Sequence, residues 1–208
     1  MGIKLSYIAL AICNLIIFNG CGKKFCASTT FNFKGSVKAY PDKDSIHIND
    51  TIWIELNTPT KLKDLTTGHI IDYSGAGNLG TAVTFYRLNG GTVSDPGVIP
   101  AANDFNLVIK KGSVVNNSNL ERVREFLFIE ENNQYKFKVG VIPKKLGLYG
   151  LGISNAANVY RNSDQCTKAS FEMPFENTTQ HLYLLEKSIP GQVVDGLQAT
   201  NGYFFKVY

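Results

Sequence analysis

The sequence predicts an all-β chain folded as an antiparallel sandwich, with one short helix near its C-terminal end. Three observations carry that expectation. Apolar and polar residues alternate with period two along most of the chain, as in strands with one buried face. Clusters of Gly, Asn, Asp and Pro punctuate those runs where turns need them. Only one stretch has apolar residues at helical spacing. With 44% hydrophobic and 12% aromatic residues, the chain has enough apolar surface for a packed core and does not read as disordered.

In chain order, Phe31, Phe33, Val37 and Ala39 point one way and Asn32, Lys34, Ser36 and Lys38 the other, which reads as one half-buried strand. Tyr40-Pro41-Asp42-Lys43-Asp44 is a turn. Ile46 and Ile48 follow, then Ile52, Ile54 and Leu56 with Trp53 on the opposite face. Residues 81–88 and 105–109 read as further strands. Residues 126–130 and 135–142 form a hairpin joined through Glu131-Asn132-Asn133. Tyr149, Leu151 and Ile153 alternate again, as do Tyr203, Phe205 and Val207. The helical exception starts at Asn177, which with Gln180 has the form of a capping box. Leu182, Leu185 and Ile189 then recur at helical spacing, and Pro190-Gly191 ends the helix. There is no internal repeat, low-complexity tract or clear linker.

Strands and turns at this spacing indicate a sandwich. Within it, Lys145-Leu146-Gly147-Leu148-Tyr149 resembles the start of the sixth strand of immunoglobulin-like domains, whose tyrosine hydrogen-bonds back across the corner. The resemblance implies an immunoglobulin-like antiparallel β-sandwich, with Trp53 in the core rather than on a ligand platform.

Residues 1–20 have the layout of an export signal. Lys4 is the only charge before Cys21, residues 5–18 are apolar apart from Ser6 and Asn14, and Gly20 is the small residue before the break. The apolar run is shorter than the roughly 20 residues that cross a bilayer as a helix. With Cys21 at the break, the segment resembles a bacterial lipoprotein signal. That implies lipid on the Cys21 sulfur, palmitate-type acyl chains and Cys21 as the mature N-terminus. One acyl chain binds only marginally, two or three firmly, and Lys23 and Lys24 would sit at headgroup level. An ordinary cleaved signal is the alternative, with Cys21 or Cys26 in a disulfide. The mature chain, residues 40–56 and 70–85 in particular, resembles exported lipoproteins of the Bacteroidota type, a likeness that implies no known activity.

The expected organisation is a signal peptide at 1–20, a lipidated tether at 21–27 and a single β-sandwich domain at 28–208, held at the outer membrane. Loss of Lys4 lowers the formal charge from +4 to +3, too weak a bias for a nucleic-acid partner. Cys13 leaves with the signal and Cys21 is taken by lipid. Cys26 and Cys166 are then the expected disulfide in an oxidising compartment.

Gly75-Ala76-Gly77-Asn78-Leu79-Gly80 matches the dinucleotide-binding glycine pattern. A nucleotide site needs the last glycine to open a helix. Thr81-Ala82-Val83-Thr84-Phe85-Tyr86 is β-branched and aromatic instead, so the motif reads as a turn between strands, with no nucleotide and no cofactor. His47, His69 and His181 are scattered, never beside a second His or Cys at ligand spacing, and no metal is expected. His47 is expected on the solvent face of a strand. Glu130-Glu131 lie at a hairpin tip and point to opposite faces, unlike the paired carboxyls of a glycosidase. Asp44-Ser45-Ile46 and Asp50-Thr51-Ile52 resemble the short O-glycosylation acceptor of Bacteroidota.

The expected function is a non-catalytic binding or structural module of the cell envelope. Residues 89–104 and 155–164, rich in Asn, Gly and Tyr, are its expected contact loops. A second reading is glycan binding through coplanar exposed aromatics drawn from Tyr86, Tyr160 and Tyr183. A third is a hydrolase acting on cell-wall or glycan substrates.

Overall fold

Alternation sets the layers of this fold and turn residues set where the chain changes layer. The computed structural model describes residues 29–92, 94–95, 97–115, 120–177, 180–191 and 201–208. Residues 1–28, with the expected signal, Cys21 and Cys26, lie outside the described residues. The first strands are β1 Thr29–Lys34, β2 Val37–Tyr40, β3 Ser45–Ile46, β4 Ile52–Pro59, β5 Lys61–Lys63 and β6 Ile70–Asp72. Next come β7 Gly80–Leu88, β8 Val98–Pro100, β9 Phe105–Lys111, β10 Ser113–Val114, β11 Val123–Leu127 and β12 Ile129–Glu131. The last are β13 Gln134–Pro143, β14 Gly147–Ile153, β15 Ala156–Arg161, β16 Asp164–Glu172 and β17 Gly202–Val207, with helix α1 Leu182–Ser188 before β17.

Two sheets make the sandwich. One has the order β12-β13-β4-β2, with β9 also on β13; the other runs β10-β11-β7-β14-β17-β3, with β8 on β7. Their inner faces meet in one core, where Phe137 of β13 packs on Phe126 of β11 at 5.1 Å between ring centroids. Phe105 meets Tyr149 at 4.9 Å and Phe85 at 5.4 Å. A third sheet, β1-β16-β15, joins the same core through Phe33, Phe171 and the ring of Tyr73. The expected all-β sandwich with a short helix is what the chain forms. It is not purely antiparallel, because β1 runs parallel to β16 and β3 parallel to β17.

Several expectations need correction. The single strand expected over 31–39 is two strands in two sheets. The chain breaks at Gly35-Ser36, β1 stays with β16, and β2 moves onto β4. Phe33, Val37 and Ala39 are all buried, so the alternation runs unbroken across the switch and hides it. The first arm of the expected hairpin also divides. Residues 123–127 pair with β7, and only 129–131 pair with β13. Asn132 and Asn133 close that turn with φ of 55° and 57°, the left-handed pair that a two-residue hairpin turn requires. The loop expected over 89–104 holds β8 and a 3-10 turn at Ala102–Asp104, and that over 155–164 holds β15.

The helix begins later than expected, and its capping box does not form. His181 precedes α1 in left-handed backbone, φ 54°, without a side-chain cap. Leu185 and Ile189 bury against Leu88 and Phe204 on the outside of the second sheet. Asn177 does something else. Its side-chain oxygen accepts the Ala39 N–H at 2.8 Å and its amide nitrogen donates to the Ala39 carbonyl at 2.7 Å. One side chain thereby stands in for a neighbouring strand at the edge of β2.

Candidate functional site

The outer face of the β13-β4-β2 sheet carries the most developed side-chain arrangement on the surface. Alternation along β4 buries Ile52, Ile54 and Leu56 and turns Trp53, Glu55 and Asn57 outward. Register then aligns two rungs. Tyr40, Trp53 and Gly140 lie across from one another, as do Lys38, Glu55 and Lys138. Trp53 is thus half-buried on the outside and not in the core. The period-two pattern opposes it to the buried Ile52 and Ile54, and that local signal holds over the core position implied by the immunoglobulin-like resemblance. A Cβ at Gly140 would stand 3.0 Å from Trp53 Cζ3, so the missing side chain is what lets the indole lie on β13.

Lys138 ties the two rungs together. Its ammonium sits 5.1 Å from the Tyr40 ring centroid and 5.5 Å from that of Trp53 and 3.1 Å from Glu55 Oε2. Tyr40 donates its hydroxyl to the same carboxylate oxygen at 2.6 Å. Burial alone would raise the Glu55 carboxyl, but the Tyr40 and Lys138 hydrogen bonds hold it below its ordinary value. The Tyr40 hydroxyl and then the Glu55 carboxylate beside it push the Lys138 ammonium up. The aromatic pair therefore holds the chain's own cation, a contact worth about 0.5–1 kcal/mol at an exposed site.

Beside this cluster a cleft of about 420 Å³ opens, lined by Lys34, Lys38, Tyr40, Glu55, Asn57 and Glu176 among others. Lys38 pairs with Glu176 across it at 3.6 Å. Its walls are ammonium, carboxylate, amide and hydroxyl groups with one aromatic edge. Such walls suit a polar, hydroxyl-rich ligand better than an apolar one.

The three tyrosines expected to form a platform occupy three different settings. Tyr86 is half-buried, edge-on to Phe204 at 6.0 Å in the cluster under α1, and burial raises its hydroxyl pKa. Tyr160 on β15 lies under the Lys168 ammonium, 5.5 Å from its ring centroid, and lines a separate cleft of about 600 Å³ with Asn78, Arg161 and Asn162. Tyr183 on α1 is exposed and donates to Asp44. No ring contact joins any two of them among the described residues, so they do not make one coplanar surface.

The remaining motif residues have structural settings. The glycine-rich segment is a turn that leads into strand β7. Asn78 there accepts the Tyr160 N–H at 3.0 Å, and Glu130 accepts the Gly75 N–H at 2.7 Å. Glu131 pairs with Lys111 at 2.7 Å and Lys136 at 3.4 Å, so the two acids part as expected. His47 and His69 are exposed. His181 is buried, with Nδ1 2.9 Å from the Phe204 carbonyl and Nε2 3.5 Å from Asp42. Among the described residues, no group of three or more His, Cys, Asp or Glu is placed to hold a metal ion. None of their helices is long and apolar enough to cross a membrane. Cys166 lies on β16, beside Thr167, which faces Thr29 at the start of β1.

No family model and no curated protein matches the chain. Among solved structures it is similar to the human F-spondin reeler domain, with a TM-score of 0.36 and 9% sequence identity over 89% of this chain and 100% of that one. A likeness that distant says nothing about activity.

Proposed function

We propose that this chain is a lipid-anchored, outer-membrane-associated binding module without catalysis, fixed to the membrane through Cys21 and presenting the cleft beside Tyr40 and Glu55 to its ligand. The observation that carries the binding role is the cleft itself, a polar recess on the outer face of the β13-β4-β2 sheet. Glu55 is held ionised by Tyr40 and Lys138, whereas a glycosidase needs one carboxyl kept protonated. Glu176 is tied to Lys38. The anchor rests on the lipoprotein-like signal. Labelling with an alkyne fatty acid in a Gram-negative host tests it: label and membrane association that vanish in Cys21→Ala support it, and an unlabelled, soluble wild type overturns it.

The ligand reading favoured by the lining is a glycan. Hydroxyl-rich ligands take paired donors and acceptors such as Asn57, Lys38 and Glu55, and this cleft replaces the three scattered tyrosines as the place to look. On a glycan array, Asn57→Ala and Glu55→Gln are expected to lose at least about tenfold in affinity, the cost of about one charge-assisted hydrogen bond. Binding left unchanged in both variants retires this cleft. Turnover on a polysaccharide panel would instead revive a hydrolase. We also propose the Cys26–Cys166 disulfide. The support for it is the parallel register, which sets Thr29, three residues after Cys26 in sequence, opposite Thr167, the neighbour of Cys166.

A further inference from the structure

The β5–β6 hairpin has an inner side that is fully accounted for and an outer side that is not. Inward, Leu62 is buried, and Asp64 accepts the Asn32 N–H at 2.8 Å and the Thr67 hydroxyl at 2.7 Å. Outward, the ladder sets Ile70 opposite Lys63 and Asp72 opposite Lys61. Solvent-facing strand positions are ordinarily polar. Yet Ile70 is 64% exposed, the most of any large apolar residue described, and Leu65 in the adjoining turn is 49% exposed. Two bare aliphatic side chains beside two exposed lysines form the pattern of an interfacial surface, apolar groups for the acyl boundary and ammonium groups for phosphate.

Position in the molecule adds a second argument. The turn is bound to β1, since Leu65 N–H donates to the Asn32 carbonyl at 2.7 Å and the Asn32 amide donates to Thr66 at 2.9 Å. Asn32 is three residues past Thr29, about 10 Å along the strand. The stretch from Cys21 to Thr29 spans at most about 28 Å fully extended. A lipid on Cys21 therefore keeps this hairpin close to the bilayer. Leu146, also 60% exposed, lies beyond the far end of β13.

We propose that the outward side of the β5–β6 hairpin rests on the anionic headgroup surface of the membrane, with Leu65 and Ile70 at the acyl boundary and Lys61 and Lys63 among the phosphates. This inference rests on the lipid-anchor reading. It gives the domain a fixed orientation, with the hairpin toward the bilayer and the Pro143–Gly147 end away from it.

Trp53 is the only tryptophan, so Trp53→Phe combined with Ile70→Trp leaves one reporter on the hairpin. Trp53→Phe combined with Leu146→Trp leaves one at the far end. The full chain, labelled with the alkyne fatty acid, is reconstituted on vesicles of phosphatidylethanolamine and phosphatidylglycerol carrying brominated acyl chains. The reporter at 70 is expected to shift blue and be quenched, and that at 146 to stay unquenched. Adding Lys63→Glu is expected to weaken the contact at least about fivefold, the worth of one basic residue at an anionic surface. An unquenched reporter at 70, or equal quenching at both sites, overturns the proposal. The fatty-acid label tests the anchor separately on the same samples. A labelled chain unquenched at 70 retires the hairpin contact alone. An unlabelled chain quenched at 70 supports that contact and retires the anchor.

Discussion

At the scale of single residues, buried polar atoms hold the two ends of this sandwich. Tyr149 lies with its hydroxyl 3.3 Å from the Lys145 carbonyl and 3.3 Å from Asp104 Oδ2, the back-reaching bond implied by the Lys145–Tyr149 segment. Asp104 also meets Lys145 at 2.6 Å and Arg87 at 3.9 Å. Burial, with the nearby Asp104 charge, pushes the Tyr149 hydroxyl up to about 12, so it donates throughout the accessible pH range. Tyr149→Phe should cost about 1–2 kcal/mol, read as a lower urea midpoint with an unchanged slope. Near the other end, Asp64 is 1% exposed and is held down to about 2 by the Asn32 N–H first and the Thr67 hydroxyl second. A carboxyl depressed in the folded state stabilises above its unfolded pKa, near 4, and loses that contribution as pH falls toward 2. Asp64→Asn keeps an acceptor but no charge. Its stability should therefore fall less steeply than wild type between about pH 4 and 2 in acid titrations followed by circular dichroism. The tyrosine corner was legible because its cue is local. The Asp64 bonds were not, because Asn32 lies outside any window that contains Asp64.

At the scale of elements, edges and crossings matter more than strand identity. Asn177 shows why. A helix cap and a strand-edge clamp both ask for an Asn oxygen that accepts a backbone N–H, so residues 177–180 alone cannot separate them. Only the edge clamp also uses the amide as a donor. Asn177→Asp removes that donor and sets a carboxylate against the Ala39 carbonyl. It should cost about 1–3 kcal/mol and speed hydrogen exchange at the Ala39 amide, whereas a cap would tolerate Asp. Gly112 marks the crossing from β9 to β10, where the chain passes between the two sheets. Its φ is +90°, and a Cβ there would stand 2.5 Å from the Leu127 carbonyl oxygen. Gly112→Ala should destabilise by more than the roughly 1 kcal/mol of an ordinary left-handed strain, seen as a drop in melting temperature. Period-two alternation identified faces correctly on both sides of each crossing. It carries no information about which sheet a face belongs to, and this is why residues 31–39 and 126–130 each read as one strand.

At the scale of the whole molecule, β1 is an edge strand beside β16, and among the described residues its other edge takes bonds from residues 64–66. It is also the first strand after the proposed anchor, so under that proposal any pull on the N-terminus acts on it first. A Cys26–Cys166 bridge would carry that load covalently just ahead of the first pair, Thr29 and Thr167. Closing a loop of about 140 residues is worth roughly 4 to 5 kcal/mol on the chain-entropy model, as an upper figure. If the bridge forms, dithiothreitol should lower the urea midpoint of the wild type, Cys166→Ala should match the reduced wild type, and dithiothreitol should then have no effect on the variant. Exchange in the β1–β16 ladder should rise first, before that of the β4–β13 ladder, because the cross-link secures only the edge strand. A wild-type midpoint indifferent to reductant would remove the bridge and leave β1 held by its parallel ladder and the 64–66 turn. The hairpin that makes that turn is the element proposed to face the membrane, so in that case anchoring and edge protection would both depend on it.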